Sequence, residues 1–364
     1  MNRPIRRIAI NTGGGDAPGL NAVIRAAVLA AANQGWEVYG IRKGYGGLLG
    51  EEGIVRLDAE AVRGITHLGG TILGTTNRGN PFEWPVEQSD GTVVAIDRSD
   101  EVMAAFERHA FDALIAIGGD GSLRIALELA KKGLPVVGVP KTIDNDLAAT
   151  QVTFGFHTAV QTASDAIDKL HSTAESHERV MVVEVMGRDT GWIALNAGVS
   201  ATADVILIPE IPYRIEKVCE KIMERERVGA RFAIVVAAEG ARPVDGEASY
   251  VEGALPGKAA RYGGIAERLA REIAERTGKE TRSIVLGHLQ RGGSPTAYDR
   301  LIALRFGAAA VRLVAEGRFG TMVALDPPDV LAVPLEEAVR EIKRVSTDSD
   351  TVRTARDLGI SFGD

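Results

Sequence analysis

A single cysteine, Cys219, in 364 residues rules out an internal disulfide, and its place in a helically spaced apolar stretch reads as core packing, not as a catalytic thiol. Basic charge is also in short supply. The 42 lysines and arginines stand against 49 aspartates and glutamates, a formal charge of −7, which argues against nucleic acid or an anionic membrane as a partner. Anionic ligands would need local arginine clusters. No apolar run is long enough to span a bilayer, and the opening residues pass from a short apolar stretch straight into glycines, unlike a secretory signal. A reducing, cytoplasmic setting is expected. Also missing are a Walker sequence, because no Gly-Lys-Ser/Thr follows the first glycine loop, and a dinucleotide fingerprint followed at the right distance by a ribose-binding acid.

What the chain has in quantity is glycine, 42 residues of it, on an ordinary globular background of 45% apolar and 25% charged residues. At 38.6 kDa it is long enough for two packed lobes, since single cores stop growing at about 250–300 residues. Short apolar runs alternate with helically spaced segments, the signature of an α/β fold with mostly parallel sheets flanked by helices. The pattern predicts strands over 5–11, 37–41, 113–117, 135–139, 180–185, 205–208, 232–237 and 283–286, and helices over 21–33, 158–170, 265–276 and 298–316. Ligands of such sheets sit beyond the carboxyl ends of strands, so the loops there are where chemistry is sought.

Three of these loops carry groups suited to phosphate. Gly13-Gly14-Gly15-Asp16-Ala17-Pro18-Gly19 lets the backbone approach an anion ahead of a helix, although a glycine turn of this kind is as often purely structural. Gly118-Gly119-Asp120-Gly121-Ser122 repeats the arrangement with a carboxylate that could hold Mg²⁺ through water. Pro140-Lys141-Thr142-Ile143-Asp144-Asn145-Asp146 concentrates two carboxylates, a hydroxyl and a lysine. Phosphoryl transfer to an alcohol needs a base and a metal, and this run can supply the first and support the second. Singly, each could be a hydrated turn. Together they make that reading less attractive.

In this order the three loops resemble the signature loops of 6-phosphofructokinases, and residues 176–179, 185–188, 238–240 and 287–295 agree; the resemblance covers about residues 5–320. It implies two Rossmann-like lobes with the active site in the cleft between them: residues 1–155 plus about 290–330 for nucleotide and Mg²⁺, and 156–289 plus the C-terminal segment for the sugar phosphate. By the same resemblance Asp144 is the base for the 1-hydroxyl of fructose 6-phosphate, supported by Thr142 and Asp146, with Gly14 and Arg188 counted in the catalytic set. Gly14, Tyr45, Arg78, Gly121, Ser122 and Lys141 would bind ATP, and Asp120 the Mg²⁺. Met186, Gly187, Arg188, Glu239, His288 and Arg291 would hold the sugar phosphate, alongside Thr142 and Asp144. Arg179 and Arg282 would reach a neighbouring subunit's site, which implies a homo-oligomer, dimer or tetramer.

Two positions bear on the phosphoryl donor. Gly121 resembles the ATP-dependent members, where pyrophosphate-dependent relatives carry aspartate, whereas Lys141 resembles the latter. Exclusion by a side chain is hard to circumvent and an added lysine is not, so Gly121 carries more weight and ATP is the expected donor. Lipid or NAD kinases share the second loop but predict no segment like 287–295, and a binding protein that lost the reaction would have no need of Asp120 and Asp144.

Overall fold

The computed structural model describes residues 4–50, 53–252 and 261–364. Walking along the chain, a first stretch contributes strands β1 (Arg7–Thr12), β2 (Glu37–Ile41), β3 (Ile54–Leu57), β4 (Trp84–Glu87), β5 (Val93–Ile96), β6 (Ala113–Gly118) and β7 (Val136–Pro140). Its helices are α1 (Leu20–Asn33), α2 (Ser99–Arg108) and α3 (Asp120–Lys131). The long α4 (Phe156–Ser176) leads to β8 (Val180–Val185), α5 (Trp192–Ser200), β9 (Val205–Leu207), α6 (Ile215–Arg227) and β10 (Ala233–Ala238). A small hairpin, β11 (Tyr250–Glu252) and β12 (Arg261–Tyr262), precedes α7 (Ile265–Thr277) and β13 (Thr281–Val285). Then come α8 (Ala297–Ala315), β14 (Thr321–Asp326), β15 (Asp329–Pro334), α9 (Leu335–Ala338) and α10 (Asp350–Asp357).

Among the described residues the chain divides into two compact units, 4–157 with 291–342, and 158–252 with 261–290 and 343–364. The first is built on a seven-stranded sheet in the order β15-β14-β7-β6-β1-β2-β3, parallel at its centre and antiparallel at both edges. β1, β6 and β7 read as near-continuous apolar runs because helices cover both faces of the sheet, leaving no solvent side to demand alternation. Leu114, Ala116, Leu123, Ala126 and Val136 meet in this core, all at most 4% exposed. Removing several methylenes from such a position costs about 2–5 kcal/mol.

The second unit has a four-stranded parallel sheet, β13-β8-β10-β9. Val182, Val205, Val235, Val218 and Ile273 form its core, and Cys219 lies on the buried side of α6 among them. The chain's last residues extend this sheet: Ser361 bridges Val205 in parallel, Ser361 N donates to Asp204 O at 3.0 Å, and Ile206 N donates to Ser361 O at 2.9 Å. Phe362 beside it is fully buried beneath the Arg356 guanidinium.

Expected and observed elements coincide over β2 and β8 and differ by a residue or two at most other ends. The largest difference is α4, expected over 158–170 and found at Phe156–Ser176; β13, expected over 283–286, is found at Thr281–Val285. As the edge strand it can place Thr281 and Arg282 in the ladder opposite Val180 and Met181 without burying charge.

Candidate active site

The three glycine and acid loops of the first unit leave the sheet side by side. β1, β6 and β7 are consecutive and parallel, with Thr12 opposite Ile117 and Gly118 opposite Pro140. The strand order also reverses here, because the chain runs from β1 outward to β2 and later returns to β6 on the other side of β1. Open α/β sheets bind ligands at that kind of switch point.

Main-chain bonds lock the loops together. Gly13 N donates to Ile117 O at 3.0 Å and Lys141 N donates to Gly118 O at 2.9 Å. Packing at this junction excludes larger residues: a Cβ on Gly13 would stand 2.7 Å from Ser122 Oγ, and one on Gly118 would stand 2.3 Å from Ser122 Cβ. Gly121 is different. A Cβ there would meet nothing within 4 Å, so the space beside the first turn of α3 is open.

Lys141 is 3% exposed, and its Nζ donates to Gly15 O. Burial, helped by the nearby Arg291 cation, pulls its ammonium down to about 8 against the pull of Asp144, Asp16 and Asp146. Asp144 N donates to Thr142 Oγ1 at 3.1 Å, and that hydroxyl faces Asp144 Oδ2 at 3.5 Å, so Thr142 fixes the main chain of residue 144 and lies beside its carboxylate. Thr153 and Asn145, both buried, brace the turn: Thr153 Oγ1 donates to Thr142 O at 2.7 Å and Thr153 N to Asn145 Oδ1 at 3.1 Å. Burial, and then the Asp144 and Asp120 charges, push Asp146 up to about 6.

Asp120 begins α3 and is paired with Arg124 across one helical turn at 2.9 Å. Among the described residues no three His, Cys, Asp or Glu side chains converge to hold a metal by themselves. Mg²⁺ ordinarily takes one or two carboxylates and completes its shell with phosphate oxygens and water. The residues fit such an ion, since Asp120 and Asp144 both push Asp146 upward by their charge, and Asp146 Oδ1 is buried without a hydrogen-bond partner.

Other expected residues fall in varied places. Arg291 lies in the first unit against the glycine loop, its Nη1 donating to Asp16 O at 3.1 Å. Tyr45 is 4% exposed in the apolar core with Ile41 and Leu48, and burial pushes its hydroxyl up. Arg78 is exposed in a loop tied to the glycine loop by Gly14 N donating to Thr76 O at 3.1 Å and Thr75 Oγ1 donating to Gly14 O at 2.5 Å. Sequence reasoning missed Thr75 and also Thr12, whose Oγ1 donates to Gly74 O at 2.7 Å. The hydroxyl run Thr75-Thr76 was the available signal.

In the second unit the pattern recurs. β13, β8 and β10 are adjacent and parallel, so Met186 to Arg188, Glu239 and His288 all follow carboxyl ends of neighbouring strands. Arg188 N donates to Glu239 Oε1 at 3.0 Å, and the Arg188 and His288 side chains are exposed. Arg179 and Arg282 lie at the other end of the same strands, where each donates to Glu280 Oε1, at 2.9 and 2.5 Å. Those two arginines therefore pull Glu280 below its usual range.

Comparison with known proteins gives the family. A family model described as phosphofructokinase matches residues 7–314. An ATP-dependent 6-phosphofructokinase of Chloroflexus aurantiacus is 55% identical over 360 residues, 99% of this chain and 98% of that protein. A pyrophosphate–fructose 6-phosphate 1-phosphotransferase of Amycolatopsis methanolica is 51% identical over 343 residues, 93% of this chain and 96% of that one. The crystal structure of Pichia pastoris phosphofructokinase in the T-state is similar with a TM-score of 0.78 at 30% identity, covering 98% of this chain, which spans 37% of the Pichia chain.

Proposed function

Because the chain belongs to the phosphofructokinase family, we propose that it transfers the γ-phosphoryl group of ATP to the 1-hydroxyl of fructose 6-phosphate, a glycolytic reaction of the cytoplasm. The observation that carries this reading is the meeting of the glycine cradle, Lys141 and the Asp144 carboxylate at the ends of three adjacent strands.

Asp144 takes the proton of the 1-hydroxyl as that oxygen bonds to the γ-phosphorus, and the bond from the γ-phosphorus to the bridging oxygen breaks to release ADP. Thr142 fixes the main chain that carries this carboxylate. Backbone N–H groups of Gly15 and of residues 119–122, the Ser122 hydroxyl and the Lys141 ammonium hold phosphate oxygens, with Gly14, Tyr45 and Arg78 assigned to the same nucleotide side. Asp120 would hold Mg²⁺ with Asp146 behind it; the ion neutralises the charge of the phosphates when bound. Glu239 accepts sugar hydroxyls, while Met186, Gly187, Arg188, His288 and Arg291 receive the sugar phosphate.

Arg179 and Arg282 support an oligomer. β8 has six residues, so at 3.3 Å per residue its two ends are about 20 Å apart. No arginine reaches that far along its own strand to serve the ligand at Met186 and Glu239. A second copy of the chain would have to receive these two cations, and light scattering should return at least twice the 38.6 kDa chain mass. A monomer with full activity would remove this assignment.

Pyrophosphate as donor is the second reading, supported by Lys141 and by the Amycolatopsis relative. The deciding assay supplies fructose 6-phosphate and Mg²⁺ with either ATP or pyrophosphate. Fructose 1,6-bisphosphate is expected with ATP, at about 1–100 turnovers per second. Product from pyrophosphate alone would reverse the choice of donor.

A further inference from the structure

The loop that carries Met186, Gly187 and Arg188 combines an internal turn, Thr190 N donating to Gly187 O at 3.0 Å, with unusual backbone angles. Arg188 has a φ of 50°, left-handed for a residue with a side chain, and Gly187 has a φ of 147° with no room for a Cβ, which would stand 2.5 Å from Thr190 O. Conformations of this kind persist where the surroundings over-determine them. The surroundings come largely from far along the sequence. Arg344 Nη1 donates to Asp189 O at 2.8 Å, and Trp192 Nε1 donates to Lys343 O at 2.8 Å, with the Lys343 ammonium 5.6 Å from the centroid of the Trp192 ring. Val345 N donates to Glu210 Oε1 at 2.9 Å, and the same carboxylate accepts Gly191 N at 3.1 and 3.0 Å. On the other flank Tyr262 OH donates to Asp189 Oδ1 at 2.6 Å.

We propose that residues 343–345, together with Glu210, form a brace that positions the 186–192 loop for the sugar phosphate, with Arg344 and Glu210 acting as positioning residues that touch no ligand themselves. The chemistry is specific to the two side chains. Glu210 is the shared acceptor for two converging main-chain N–H groups, so an amide in its place would turn a donor toward one of them. Arg344 is exposed at its position yet spends its guanidinium on a carbonyl of the loop, one residue beyond Arg188. The side-chain and main-chain partners of Arg344, Val345 and Glu210 named above all lie in the second unit, while Lys141 donates to Gly15 in the first.

This inference rests on the reading of residues 186–188 and Glu239 as the sugar-phosphate site, and its test separates the two. Steady-state kinetics are measured for the full chain and for Arg344→Ala, Arg344→Lys, Glu210→Gln and Glu239→Gln, varying fructose 6-phosphate and ATP in turn. Loss of one charge-assisted hydrogen bond should raise the KM for fructose 6-phosphate about fivefold in Arg344→Ala and about tenfold in Glu210→Gln, with the KM for ATP within about twofold of wild type. Arg344→Lys, still able to donate to Asp189 O, should recover part of the loss. A folded Arg344→Ala with unchanged KM for fructose 6-phosphate, while Glu239→Gln raises it, overturns the brace and leaves the site reading standing. So does an equal rise in both KM values, which would mark a merely structural role. If Glu239→Gln itself is silent, the site reading falls and the brace with it.

Discussion

Asp144→Asn should lower kcat about 1000-fold while leaving fructose 6-phosphate binding within about threefold of wild type, because general-base catalysis is worth about 10²–10⁴ in rate and the amide keeps the shape of the carboxyl. The surroundings make this a clean substitution. Thr142 Oγ1 accepts from the main-chain N–H of residue 144, an interaction that survives the change, and the turn is held independently by Thr153 and Asn145. Fluorescence or calorimetric titration with the sugar phosphate, run beside single-turnover kinetics, separates binding from chemistry. Turnover at the wild-type rate would remove Asp144 from the mechanism. In the wild type the neighbouring Asp146 is pushed up to about 6, so the carboxylate pair gains a proton as pH falls through that value. kcat should accordingly decline on the acid side, with an apparent pKa near 6 that belongs to the pair.

Gly121→Asp should abolish turnover with ATP, by at least about 100-fold, without unfolding the protein. The fold has room for the side chain, since a Cβ at Gly121 meets nothing within 4 Å and the backbone there is not left-handed. A carboxylate on the first turn of α3 even complements the helix dipole, worth about 0.3–1 kcal/mol. The loss is electrostatic. Two like charges about 4 Å apart at a partly screened site repel by about 4 kcal/mol, which is nearly three decades in binding. Pyrophosphate lacks the α-phosphate and suffers less, and Lys141 remains to hold it. The assay with both donors reads the outcome directly: intact ATP turnover in Gly121→Asp would mean that the nucleotide runs elsewhere.

How legible this was in the sequence varied with the physics of each element. β2 and β8 were readable residue for residue because short runs dominated by valine, isoleucine, tyrosine and methionine, with one glutamate each, stand between clear turns. β13 was not, because an edge strand tolerates Thr281 and Arg282 where a central one would not. The β14–β15 hairpin, folded around Pro327-Pro328, has apolar residues on both arms over a stretch where the sequence pattern predicts no strand. The signature loops were legible because glycines, carboxylates and lysine cluster within a few residues of strand ends. That Arg291 lies against Asp16, 275 residues away, was not, since nothing local links the two. The brace on residues 186–192 was equally hidden: Val345 and Lys343 contribute main-chain groups, and a main-chain donor or acceptor leaves no mark in the identity of its residue.

The strand-like seat of Ser361 beside β9 has a consequence for handling the protein. Val205 to Leu207 would otherwise present an open row of N–H and C=O groups, the surface on which unrelated chains add themselves and aggregates start. Residues 361–363, anchored by the buried Phe362 and by Arg214 N donating to Gly363 O at 2.7 Å, cover the start of that row from within the same chain, Ser361 taking Asp204 O and Ile206 N. They act as a self-supplied edge guard. Proteolytic removal of Ser361 and the residues after it should thus expose Asp204 O and Ile206 N and lower solubility, which light scattering of the trimmed protein would read.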